Sequence, residues 1–362
     1  DDLNPGELEQ PEEPLCYGGT TFIEFETLPS GADDNTSDNL DYNYQWQTSE
    51  DGVTGWTPIG PNSESLPLQD NTEPMSYYRC IVTSLYCDNN GGGPYETNVV
   101  SLEVLPNLDP GVLQDNYDDL CDNESVVLSF DIDPAGANEA YDPNDIQYQW
   151  YENGIEITEN GNDPTYLLVH DNNGSSTITN NYTCEITSTK CSNLPDAPYI
   201  TNSISVNMLP QLEAGVLSPV DDVCWNDSFD VGFEILPSGA NQENNPNDIQ
   251  YQWEVSIDGG PYNPINDADE PTYSTINDNP GTHIYRCVVT SNYCTGFPES
   301  FVTTPTTTVE LLDDLNPGEL EQPEEPLCYG EITFIEFETL PSGADDNPSD
   351  NLDYNYQWQT SE

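Results

Sequence analysis

Ten cysteines recur along the chain at a near-constant interval. Cys16, Cys121, Cys224 and Cys328 stand 105, 103 and 104 residues apart; Cys80, Cys184 and Cys287 are 104 and 103 apart, and Cys87, Cys191 and Cys294 keep the same spacing. No CxxC pair exists, and His170 and His283 are not at equivalent positions, so a zinc-type ligand set is not indicated. The chemistry these thiols offer is cross-linking, which belongs to an oxidising, extracytoplasmic compartment. Two pairings remain open. The favoured one is intradomain, first to second: Cys16–Cys80, Cys121–Cys184 and Cys224–Cys287. It leaves Cys87, Cys191, Cys294 and Cys328 unpaired or free for inter-domain contacts. The rival joins a first cysteine to the third of the next repeat, as Cys16–Cys191 and Cys121–Cys294, and leaves the second as a buried thiol. The second and third cysteines are seven apart on one extended segment, too far to bridge each other.

Carboxylates are the other reactive population. Asp and Glu number 68 against 3 Lys plus Arg, a formal net charge of −65. That field repels nucleic acid and anionic membrane faces, which excludes both partner classes and keeps the chain soluble. No run approaches the ~18 apolar residues of a membrane helix, so direct membrane insertion is not expected. Hard oxygen ligands suit Ca²⁺, and one acidic turn gathers them: Asp33, Asp34, Asp38 and Asp41 in the first repeat, and Asp142, Asn144 and Asp145 in the second. Asp and Asn are also ordinary turn formers. Junction acids Asp118, Asp119, Asp221 and Asp222 form a second set. No nucleophile, zincin, P-loop or dinucleotide motif is present, and the chain reads as non-enzymatic.

The elements that must carry these groups are strands. Low hydropathy with high charge usually means disorder, but 22 Tyr, 6 Trp, 9 Phe and the cysteines supply buried area and cross-links. Trp46, Trp150, Trp253 and Trp358 share the cysteine period, which divides the chain into repeats 1–106, 107–210, 211–312 and a partial 313–362. Residues 313–362 match 1–50 except at Gly19/Glu331, Thr20/Ile332 and Thr36/Pro348, so the longer period is a 312-residue block. The sequence is expected to be an interior window of a much longer polypeptide. Within a repeat, Ile23-Phe25-Thr27, Leu128-Phe130-Ile132 and Val231-Phe233-Ile235 alternate with polar residues, the pattern of a strand with one buried face. A turn and "YQW" follow, then "YYRCIVTS", "NYTCEITS" or "IYRCVVTS". About seven strands per ~100 residues around a core Trp predict an all-β array of immunoglobulin-like sandwiches. Tyr78, Tyr182 and Tyr285, two residues before a cysteine, stand where such a fold places a tyrosine corner, its phenol bonded to backbone.

The segments "CYGGTTFIEFETLPSGADD", "YNYQWQTSEDGVTGWTPIG", "YYRC" and "TNVVSLEVLP" resemble the tandem Ig-like repeats of giant Bacteroidota cell-surface adhesins, the SprB-like gliding-motility adhesin family. The resemblance covers three full repeats and the partial one, although each full repeat has three cysteines where family repeats commonly have two. It implies type IX secretion across the outer membrane, display on the cell surface, and work in adhesion, gliding or filament formation. The partners implied are neighbouring repeats of the same chain, an unidentified surface, glycan or protein ligand, and further copies by self-assembly. The alternative is a glycan- or protein-binding module acting through exposed loops, with Trp56 in "GWTPIGPN" the candidate patch.

Overall fold

The computed structural model describes residues 3–31, 42–69, 75–84, 94–192, 198–296, 300–322, 326–344 and 354–360. Among them every regular element is a strand. The first repeat contains β1 (Glu7–Leu8), β2 (Thr20–Ile23), β3 (Phe25–Thr27), β4 (Tyr42–Ser49), β5 (Thr57–Ile59), β6 (Leu66–Gln69), β7 (Met75–Ser84), β8 (Tyr95–Glu96) and β9 (Val100–Glu103). One layer is a five-stranded sheet, β5-β4-β7-β8 with β9 also on β7, and the other holds the pairs β2–β6 and β1–β3. Ile23 and Leu66 from the second layer share one buried cluster with Trp46, Cys80 and Val82 from the first, which makes this an immunoglobulin-like sandwich. The same order recurs from Val112–Leu113 to Ile204–Met208 and from Val216–Leu217 to Thr307–Leu311.

Contacts divide the chain into two compact units: Asp1–Asp118 with Val126–Leu168 and Asn180–Val206, and Asp119–Ser125 with Val169–Thr179 and Asn207–Glu362. The division runs through the second repeat, so the junction between the first two repeats lies inside one unit. That between the second and third lies inside the other.

Trp46, Trp150 and Trp253 are fully buried, and each indole N–H donates to a loop carbonyl, of Ser63, Asp163 and Glu270, at 2.9 Å. In register each Trp sits opposite the second cysteine of its repeat, Cys80, Cys184 or Cys287. A Phe packs on every indole: Phe25, Phe130 and Phe233 lie 5.7, 6.0 and 5.6 Å from it. Tyr78, Tyr182 and Tyr285 are also buried. The Tyr182 phenol does not reach backbone as a tyrosine corner would. It donates to Glu152 Oε1 at 2.7 Å, while that of Tyr285 lies 3.4 Å from His283 Nδ1.

Two expectations are corrected. The alternating segment of each repeat is two strands, because its halves take different partners: β2 pairs β6 and β3 pairs β1. Its outer end therefore leaves the core, and Ile132 and Ile235 are 58% and 59% exposed. Trp358, expected as a core plug, is 56% exposed. It stacks on Phe337 at 5.9 Å, but among the described residues of 313–362 no strand corresponds to β7 to close over it.

Candidate functional site: cysteine staples between repeats

Each first cysteine opens a tight turn at the end of its repeat. The Cys16 carbonyl accepts from Gly19 N–H (2.8 Å) and the Cys121 carbonyl from Glu124 N–H (3.0 Å). The residue two after each cysteine has positive φ, Gly18 at 70° and Asn123 at 59°. The residue before it, Leu15 or Leu120, makes a parallel bridge to the repeat's last strand, at Val104 or Met208. The turn is thus anchored to its own sandwich.

The third cysteine is presented by a different device. Asp145 is fully buried, and its carboxylate accepts from Ser188 Oγ (2.6 Å), Thr189 Oγ1 (2.7 Å), Lys190 N–H (2.8 Å) and Asn138 N–H (3.1 Å). Ser188 Oγ in turn accepts from Cys191 N–H at 2.8 Å. Burial pushes the Asp145 carboxyl up, but these hydrogen bonds outweigh it and hold the group below the usual carboxylate range. The third repeat copies the arrangement: Asp248 takes Ser291 Oγ at 2.7 Å and Tyr293 N–H at 2.8 Å, and Ser291 Oγ takes Cys294 N–H at 3.0 Å. In the second and third repeats a buried aspartate therefore fixes the loop that carries the third cysteine.

The two parts meet. Cys16 bonds to Cys191 and Cys121 to Cys294, each with Cα atoms 5.6 Å apart, within ordinary disulfide reach. This corrects the favoured intradomain pairing. Cys80, Cys184 and Cys287 are buried free thiols set opposite tryptophan within their own sandwiches, whereas bonded Cys121 packs with Cys294 in the buried cluster of the third repeat. Burial pushes the Cys80 and Cys184 thiols up to about 12 and that of Cys287 up to about 11. Cys224 and Cys328 are free and exposed; Cys87 lies outside the described residues. A polar contact accompanies each staple: Lys190 pairs with Glu13, and Tyr293 Oη donates to the Asp119 carbonyl at 3.3 Å.

The calcium expectation finds no assembled site in the second repeat. Asp145 spends its oxygens on four protein donors, and Asp142 Oδ1 accepts from Asn144 N–H at 2.9 Å. Among the described residues no group of three or more His, Cys, Asp or Glu is placed to hold a metal ion. Asp33, Asp34, Asp38 and Asp41 lie outside the described residues. Trp56 is half-buried with the Arg79 guanidinium 4.2 Å over its ring, and Tyr262 receives Arg286 likewise at 3.8 Å in the third repeat. An open hollow of ≈ 1140 Å³ on the first repeat is lined by Asp51, Thr57, Leu66, Gln69 and Tyr77 among others. No helix among the described residues is long and apolar enough to cross a membrane.

Residues 8–106 match the family described as "Domain of unknown function (DUF8696)". No curated protein matches the sequence. Similar solved structures include the three N-terminal domains of the bacteriophage RB49 Highly Immunogenic Outer Capsid protein, 12% identical over 84% of this chain and 98% of that one, with a TM-score of 0.39. Three domains of titin are 12% identical over 84% and 97%, with a TM-score of 0.29. The four N-terminal Ig domains of Dscam1 are 13% identical over 84% and 72%, with a TM-score of 0.27.

Proposed function

We propose that the chain is a load-bearing segment of a very long extracellular adhesin or surface filament. In this reading acidic Ig-like domains form a linear array that projects, spans distance and presents surfaces, without turnover. One observation carries it: the disulfides interleave along the sequence, in the order Cys16, Cys121, Cys191, Cys294, with partners first-to-third and second-to-fourth. Such stitching does little for a domain that acts alone. In a tether it shortens the chain that load can pull out, and it ties each repeat to the next. The charge of −65 keeps such an array apart from its neighbours. Disulfides fit an oxidising location outside the cytoplasm, and the resemblance to SprB-like adhesins extends this to export across the outer membrane, surface display and gliding motility.

Solution scattering tests the array. A compact globule of this length would have a radius of gyration of about 21 Å, and a linear array must lie well above it; a value near 21 Å would refute the reading. Protease treatment of intact source cells tests display, which requires loss of the protein without lysis. The hollow on the first repeat supports a second reading, a module that binds a glycan or extended peptide there. Tyr77→Ala would then abolish retention on the ligand surface and leave the array's length unchanged.

A further inference from the structure

We propose that Cys224 is the open half of a third staple, and that its partner is the third cysteine of the domain that follows the third repeat. This rests on the linear-array reading above. The occupant is a copy of the first repeat, because the sequence restarts that repeat at Asp313 and runs through "DYNYQWQTSE" with three differences in fifty residues. The cysteine required is the counterpart of Cys87, which follows Cys80 by seven residues just as Cys191 follows Cys184 and Cys294 follows Cys287.

The structure contains two finished versions of this joint and one unfinished one. Cys224 occupies the turn of Cys16 and Cys121: its carbonyl accepts from Asp227 N–H at 3.1 Å, and Asn226 has φ of 62°. Its preceding residue, Val223, makes the parallel bridge to Leu311. The difference is cover. Bonded Cys121 is 2% exposed and bonded Cys16 half-buried, whereas Cys224 is exposed and Trp225 beside it is 38% exposed. Behind the turn, fully buried Asn277 donates to the Val223 and Leu312 carbonyls at 2.8 Å, yet its Oδ1 has no hydrogen-bond partner among the described residues. Cys328 has the turn hydrogen bond, from Glu331 N–H at 3.0 Å, but Leu327 before it is 55% exposed and makes no bridge among the described residues. Cys224 is thus seated as a staple cysteine, and Cys328 is not.

The bond forms by exchange with a small-molecule disulfide. The Cys224 thiolate attacks it, forms a mixed disulfide and releases one thiol. The partner thiolate then displaces the second, so two protein thiols are oxidised while one small disulfide is reduced to two thiols, with protons balanced.

The test extends the full chain after Glu362 with the sequence of residues 51–106, completing the fourth domain, and carries Cys87→Ser in the original first repeat so that only the appended copy has that cysteine. After refolding in a glutathione redox buffer, peptide mapping without reduction should show Cys224 linked to the appended cysteine, with loss of Cys224 alkylation. Cys328→Ser should leave that link intact. Cys224 still fully alkylated, or linked to Cys328, would overturn the proposal. Retention of Cys16–Cys191 and Cys121–Cys294 in the same map reports correct folding, and scattering on the same sample reports the array. A rod without the Cys224 link defeats this inference alone, and a compact globule defeats the array reading.

Discussion

Pulling the chain from its ends should reveal the stitching directly. With both disulfides reduced, full unfolding frees every residue between Cys16 and Cys294, about 278 residues or roughly 950 Å at ~3.4 Å each. With both intact, load passes from Cys16 across the bond to Cys191, back along the chain to Cys121, and across the second bond to Cys294. Only the segment between Cys121 and Cys191 lies on that shortest path, about 70 residues or roughly 240 Å. Oxidation should therefore shorten the length released between Cys16 and Cys294 by about fourfold, a loss of roughly 700 Å from the extension measured at the ends, without altering the folded span. Optical-trap extension with handles at the two termini, before and after a phosphine reductant, measures both lengths. Each single pair of Cys→Ser changes should give an intermediate value. The enclosed loops, 175 and 173 residues apart in sequence, would each contribute about 5 kcal/mol by loop-closure entropy if everything inside them unfolded together. Equal releasable lengths in oxidised and reduced chains would refute the reasoning, because then no bond carries load between repeats.

Asp145→Ala leaves buried donors unpaired and should destabilise the second domain by about 3 kcal/mol, read by denaturant midpoint; slower formation of Cys16–Cys191 on refolding should accompany it. The Asp145 carboxyl is held below its unfolded value near 3.8, so the stability it adds is present above that pH and is lost as pH falls below it. Asp145→Asn should flatten that part of the acid-unfolding curve. Brief alkylation of the native chain should label Cys224 and Cys328 and spare Cys80, Cys184 and Cys287, whose burial suppresses the thiolate; equal labelling would mean the cores are open. Gly111→Ala should cost about 3 kcal/mol, since Gly111 has φ of 72° and an added Cβ would lie 2.3 Å from the Ile132 carbonyl oxygen. An unchanged midpoint would show that the junction turn relaxes.

The amino-acid sequence by itself determined the repeat, the all-β class and the residue at the centre of each core. These are local or periodic properties: alternation shows which face is buried, and a Trp and Cys returning every ~104 residues show one sandwich after another. Only the close approach of the Ile132 carbonyl in the folded chain explains why glycine must stand at position 111. The cysteine pairing was decided by tertiary structure. Partners 175 residues apart belong to different repeats, and which of two spacing-compatible schemes forms depends on where each thiol points, a property no spacing contains. The one local hint was that the first cysteine precedes its strand instead of lying in it. Asp145 shows the same limit. An acid in an Asp- and Asn-rich turn reads equally as a cation ligand or a solvated turn former, and only the fold brings Ser188, Thr189 and Lys190 N–H to it across 43 to 45 residues. Hydrogen-bond satisfaction inside a buried loop turned that carboxylate into the anchor of a staple.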